Sequence, residues 1–130
     1  MSAATVNMNT YSDADFVKAF MLRVTDDSGA GASYYYDFAG VAMQMMIRKK
    51  PEDVEVFVAL STDPGDGIVL SASDSATPAV LDTINVTITR SQLSRMPEGD
   101  YAHSLIMTRA DGIADDIWRG TLTHAIGPTR

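Results

Sequence analysis

Strict two-residue alternation, repeated in short runs, is the feature that most restricts how this chain can fold. Val41, Met43, Met45 and Ile47 alternate with Ala42, Gln44, Met46 and Arg48, and Ile84, Val86 and Ile88 alternate with Asn85, Thr87 and Thr89. Successive side chains on a strand point to opposite faces, so each run offers one apolar face to a core. The pattern returns in residues 101–109 and 117–126, with Ala110-Asp111-Gly112 between them as a hairpin turn signal. No segment carries twelve residues of helical periodicity. A parallel βαβ sheet is therefore excluded, since no connection holds a crossover helix.

The other segments fit the same scheme. Residues 16–24 read as a first strand with Phe16, Phe20, Leu22 and Val24 on one face, interrupted by Lys18. Asp26-Asp27-Ser28-Gly29 breaks it as a turn. Residues 34–40 are aromatic and favour extended structure. Val54, Val56, Val58 and Leu60 form another inward set, and residues 68–70 a short strand; residues 71–83 are the longest irregular piece. Residues 91–95 can make one helical turn, after which Met96-Pro97-Glu98-Gly99-Asp100 bends the chain from one sheet into the other. Seven or eight short strands with frequent turns predict an all-β, immunoglobulin-like antiparallel β-sandwich. The expected layout is a small, polar N-terminal arm over residues 1–14 and one sandwich domain over 15–130.

At 130 residues with 45% hydrophobic side chains, the chain is long enough for a core without covalent staples. It has no cysteine, which excludes disulfides and thiolate metal sites and fits folding in a reducing cytoplasm. A net charge of −7 disfavours phosphate-backbone binding and anionic membrane surfaces. No basic region followed by an apolar run begins the sequence, so no signal peptide is expected.

Candidate sites are few. His103 and His124 are the only histidines, each in phase with apolar neighbours: His103 with Tyr101, Leu105 and Met107, His124 with Trp118, Leu122 and Ile126. They admit a two-histidine metal or acid/base site, or a place at the core edge with one hydrogen bond each. The second reading is favoured, because catalytic zinc needs a third ligand and an open position. Asp26-Asp27, Asp63 with Asp66, and Asp111 with Asp115-Asp116 read as turn chemistry rather than calcium sites. No nucleophile elbow and no phosphate loop is present, so no catalytic residue, metal ligand or cofactor is assigned. Tyr34, Tyr35 and Tyr36 cannot all face a core, and Met46 points away from the Met43 and Met45 face. These four residues are the candidate partner interface, with ordinary edge packing as the alternative.

The stretch Leu93-Ser94-Arg95-Met96-Pro97-Glu98-Gly99-Asp100-Tyr101, followed by residues 105–112 and by Arg119-Gly120-Thr121-Leu122-Thr123, resembles a family motif. The motif is a Leu-Pro-Xaa-Gly-Xaa-Tyr turn leading into a strand that ends in Asp-Gly, then a Gly-Thr-Xaa-Thr strand. It is found in the small Ig-like β-sandwich proteins of tailed bacteriophages, similar to the N-terminal Ig-like domain of the phage upper baseplate protein. The likeness spans about residues 15–126. Met96 stands where the family usually has leucine, and His103 and His124 stand where apolar or aromatic residues are commoner. The resemblance implies a non-enzymatic part of a virion, a tail, baseplate or fibre-attachment adaptor, assembled in the host cytoplasm. Its implied partners are other virion proteins in multiple copies, with no nucleic acid and no membrane. Capsid decoration, a head-fibre base, or a carbohydrate-binding module on Tyr34 to Tyr36 are the alternatives.

Overall fold

The computed structural model describes residues 4–25, 33–76 and 78–128, in which eleven short strands and one helical turn are formed. The alternation of Met43, Met45 and Ile47 becomes β6 (Ala42–Arg48), those three side chains buried and Gln44, Met46 and Arg48 on the opposite face. β6 pairs antiparallel with β7 (Val58–Ser61) on one side and β10 (Gly99–Thr108) on the other. β10 pairs in turn with β11 (Ala114–Ala125). The far edge of β11 carries β1 (Ala4–Thr5) and then β2 (Met8–Tyr11), both parallel to it.

That six-stranded sheet faces a smaller one of β3 (Phe16–Phe20), β9 (Thr83–Ile88) and β8 (Ile68–Ser71), in the order β3-β9-β8. A two-stranded ribbon, β4 (Arg23–Thr25) with β5 (Ser33–Tyr35), extends beside it. Ile84, Val86 and Ile88 from the small sheet and Met45, Ile47, Leu105, Met107 and Leu122 from the large one form a single core. Each fully buried Ile or Leu contributes about 1.5–3 kcal/mol. Two packed sheets over one core make an immunoglobulin-like β-sandwich, as the alternation predicts. The two sheets hold nine strands rather than seven or eight, because residues 1–14, expected as an arm, supply β1 and β2.

The passage between sheets is built locally. Thr89 caps α1 (Arg90–Leu93): the Gln92 N–H donates to its hydroxyl at 3.2 Å and its own N–H donates to Gln92 Oε1 at 3.0 Å. Leu93 and Met96 are buried behind this turn. Tyr101 then enters the core 2% exposed, and its hydroxyl donates to the Pro97 carbonyl four residues upstream. This is the tyrosine corner found at the same turn of immunoglobulin sandwiches. Phe57 meets the Tyr101 ring edge-on at 5.1 Å between centroids.

Three expectations change. Residues 16–24 do not form one strand; pairing stops after Phe20, with β3 against β9 and β4 against β5, while Phe16, Phe20 and Leu22 still pack on the core. The Val24 side chain and the turn at 26–31 lie outside the described residues. Val54 is 93% exposed rather than inward, because the Arg48 guanidinium donates to the carbonyls of Asp53 and Val54 and holds that loop outside the sheet. Finally, Leu105 pairs with Trp118 and Ile106 with Asp116, so Ile117 is bulged and both Ile117 and Trp118 reach the interior.

Tyr101→Phe keeps the ring and removes the corner bond. We expect a loss of about 1 kcal/mol of unfolding free energy. Urea denaturation checks it: the midpoint falls and the slope is unchanged, since the surface buried is the same.

Candidate functional site

Two features of the large sheet are not explained by core packing alone. The first is at its edge. His103 and His124 both lie on the inner face, 3% and 1% exposed, and both bond to the N-terminal segment, His124 to β2 and His103 to the link between β1 and β2. His103 Nε2 donates to the Val6 carbonyl at 2.8 Å. The imidazole sits on β10 and Val6 lies beyond β11, so the bond crosses a whole strand. It can do so because the residue opposite His103 is Gly120, and a Cβ there would lie 1.8 Å from the Val6 oxygen. Strands β1 and β2 are interrupted where Val6 makes this contact.

His124 stands beside Thr10 in the β2–β11 pairing, with Nδ1 and the Thr10 hydroxyl 2.9 Å apart. With the proton on Nε2, Nδ1 accepts from Thr10. The Leu93 and Met96 carbonyls lie near the ring, and Nε2 has no full hydrogen-bond partner among the described residues. The Asn7 side-chain oxygen accepts from the Thr121 N–H at 3.1 Å, and the Ser12 hydroxyl accepts from the Gly127 N–H at 3.1 Å. The favoured reading of the histidines as bonded core-edge residues agrees with these contacts. Among the described residues no three His, Asp or Glu side chains gather as a metal site requires. Sequence reasoning gave the phase of both histidines but missed their partners; the signal was Gly120, an isolated glycine inside a strand pattern.

The second feature is the outer face of the same sheet, which no other described element covers. Its middle rows are set by register: Ile106 lies between Gln44 and Asp116, Ser104 between Met46 and Arg119, and Ala102 between Arg48 and Thr121. A shallow open depression of about 730 Å³ lies here. Ile106 is 39% exposed and Met46 half-buried. The charges are locally used: Arg119 pairs with Asp116, and Arg48 Nη2 also reaches the Met46 sulfur at 3.4 Å.

Of the four candidate interface residues, Met46 lies on this face and the tyrosines lie elsewhere. Tyr35 is 47% exposed on the β4–β5 ribbon, with the Arg23 guanidinium 5.8 Å from its ring centre. Tyr36 turns inward, packed on the core with its ring 4.9 Å from that of Phe38. The Tyr34 side chain lies outside the described residues. Tyr35 and Tyr36 therefore do not form one exposed platform. Ile106 belongs with Met46, and the sequence signal for it was its position out of phase with Leu105 and Met107.

Among the described residues no helix is long and apolar enough to cross a membrane. No protein-family profile matches the chain, and no curated protein matches it. Among solved structures, one of murine CRIg aligns with a TM-score of 0.38 and 8% identity, covering 93% of this chain and 92% of that one.

Burial lowers the basicity of both imidazoles below the ordinary histidine range. The Val6 carbonyl partly offsets this at His103; the Leu93 carbonyl, the Glu98 carboxylate and the Met96 carbonyl do so at His124. A histidine less basic folded than unfolded contributes its stability in full above pH about 6.5 and loses it as pH falls below that value. Between pH 6.5 and 5 we expect unfolding free energy to fall by up to about 1.4 kcal/mol per pH unit for each histidine. Urea titrations at stepped pH measure it, and His103→Gln with His124→Gln should flatten the profile over that range.

Proposed function

We propose that this chain is a non-enzymatic structural subunit of a tailed-phage particle, an adaptor at the tail, baseplate or fibre attachment. It docks other virion proteins through the outer face of its large sheet. The observation that carries the docking role is the exposed Ile106 with the half-buried Met46, set among Ala102, Ser104 and Thr121. A sheet face is normally either packed against another layer or lined with charge. Among the described residues the middle of this one is neither: its charges there, Arg48, Arg119 and Asp116, are already bonded to neighbours, and Asp100 at its end accepts from the Thr123 hydroxyl. Small side chains around two flexible or branched apolar ones give a flat surface that costs little to desolvate.

The placement in a virion is supported by the resemblance of residues 93–101 to the phage motif; this stretch folds as a tyrosine corner, the kind of sheet-to-sheet bend that motif implies.

The test is gold-antibody labelling of purified particles by electron microscopy, with wild type and Met46→Glu/Ile106→Glu compared. We expect label at the tail tip or collar for wild type. The double variant should fold within about 0.5 kcal/mol of wild type, as surface changes usually do, and enter particles at least tenfold less. Label over the capsid would move the adaptor to a decoration role. Absence of the protein from both labelled and denatured particles would overturn the virion reading.

A further inference from the structure

The N-terminal strands are held differently from every other strand of the large sheet. β1 exposes both its residues, and β2 buries Met8 and Thr10 while Tyr11 is 53% exposed. Apolar burial therefore contributes little beyond Met8 and the half-buried Val6. Parallel backbone pairing with β11 and directed polar contacts do the rest, the latter running from Val6 to His103, Asn7 to Thr121, Thr10 to His124 and Ser12 to Gly127. Segments held by few apolar contacts open locally at lower cost than the core. The slot they leave is keyed. It needs a carbonyl over Gly120 within reach of His103, an amide oxygen one residue on, and a hydroxyl three residues further along at His124.

Charge says what can refill it. Residues 1–12 contain no Asp, Glu, Lys or Arg, in a chain whose net charge is −7. Two such chains repel through their acidic loops, but an uncharged segment crosses to a neighbour without that cost. The sequence that satisfies every key of the slot is this same segment.

We propose that residues 4–12 are an exchangeable strand, which leaves the β11 edge of its own chain and docks in the same slot of a second copy, with the His103–Val6 bond as the latch. Reciprocal exchange reproduces the contacts of residues 4–12 and changes only the turn that follows Ser12, so it links copies without building a new interface. The latch is acid-sensitive by geometry. His103 Nε2 already donates to Val6, and Nδ1 is buried without a partner among the described residues. A proton added at Nδ1 has no acceptor there, so protonation favours the open state. His124 is the weaker latch, because Glu98 and the carbonyls of Leu93 and Met96 stabilise its cation, whereas Val6 is all that favours the cation at His103. The inference does not depend on what the outer sheet face binds.

The chain has no cysteine, which makes the test direct. Thr5→Cys and Arg119→Cys chains, neighbours in the β1–β11 register, are prepared separately and mixed. They are held at pH 5 under conditions where Trp118 fluorescence reports an intact fold, returned to pH 7.5 and treated with a short bis-maleimide. We expect a covalent heterodimer, at least fivefold more abundant than without the acid step, and an acid enhancement cut to less than twofold when both chains carry His103→Gln, His124 supplying the remainder. The control pair is Thr5→Cys with Val54→Cys, a fully accessible position on the loop after β6. Heterodimer no more abundant than with this control overturns the proposal. Heterodimer appearing only where Trp118 fluorescence reports global unfolding overturns it as well.

Discussion

The bond from the Tyr101 hydroxyl to the Pro97 carbonyl fixes where the chain leaves the small sheet and enters the large one. Its consequences run outward because Tyr101 begins the inward face of β10, and β10 sets register with both β6 and β11. Once Tyr101 is anchored, the alternation that follows must place His103, Leu105 and Met107 inside, and Ala102, Ser104 and Ile106 outside. The corner therefore positions both His103 and the exposed outer face. Neither could shift by one residue without exchanging the two surfaces.

In antibody domains the residue two positions beyond the corner tyrosine is a cysteine that ties the sheets together. Here it is His103, and with no cysteine in the chain the sheets pack without a disulfide. Phe20 of the small sheet meets Trp118 of the large one at 4.6 Å between ring centres. Within the large sheet Met43 stands opposite Met107 and Met45 opposite Leu105, adaptable side chains buried on its inner face. The polar bond that His103 makes runs along the sheet instead of across the core. It reinforces the sheet's edge and contributes nothing between layers.

Period-two alternation made the core strands legible: β6, β9 and β10 lie where the apolar residues repeat, and the capped turn and hairpin lie at Thr89 and Gly112. Local signals failed where a distant partner decides the structure. Residues 4–11 look like a polar arm because they are short of apolar residues, with no alternating run; their order comes from pairing with β11 and from His103 and His124, about a hundred residues away. Val54 looks inward by phase, yet Arg48 draws its carbonyl outside the sheet. Tyr36 and Tyr35 were equivalent as letters, and only the packing of Phe38 turns one of them inward. At the candidate site, Met46 was visible as an odd methionine in an alternating run. Ile106 needed the register to show that the two share a face.

Acidity and neutrality divide the surface of this molecule in a way that orients its encounters. Exposed carboxylates crowd the turns, at Asp63 and Asp66 after β7, Asp74 after β8, and Asp111 in the last hairpin. The middle of the outer sheet face and the N-terminal strands carry almost none. Repulsion between turns falls off over about 8 Å at physiological salt, so it acts at close approach, where orientation is chosen. Approach through the neutral surfaces is then the least opposed, whether the partner is a second copy or another acidic subunit. One of those surfaces is fixed by three hydrogen-bonded strands; the other is an edge segment with little apolar burial. In the proposed assembly the sheet face sets position and the exchanged strand sets connectivity, and both follow from the same alternation along β10 and β11.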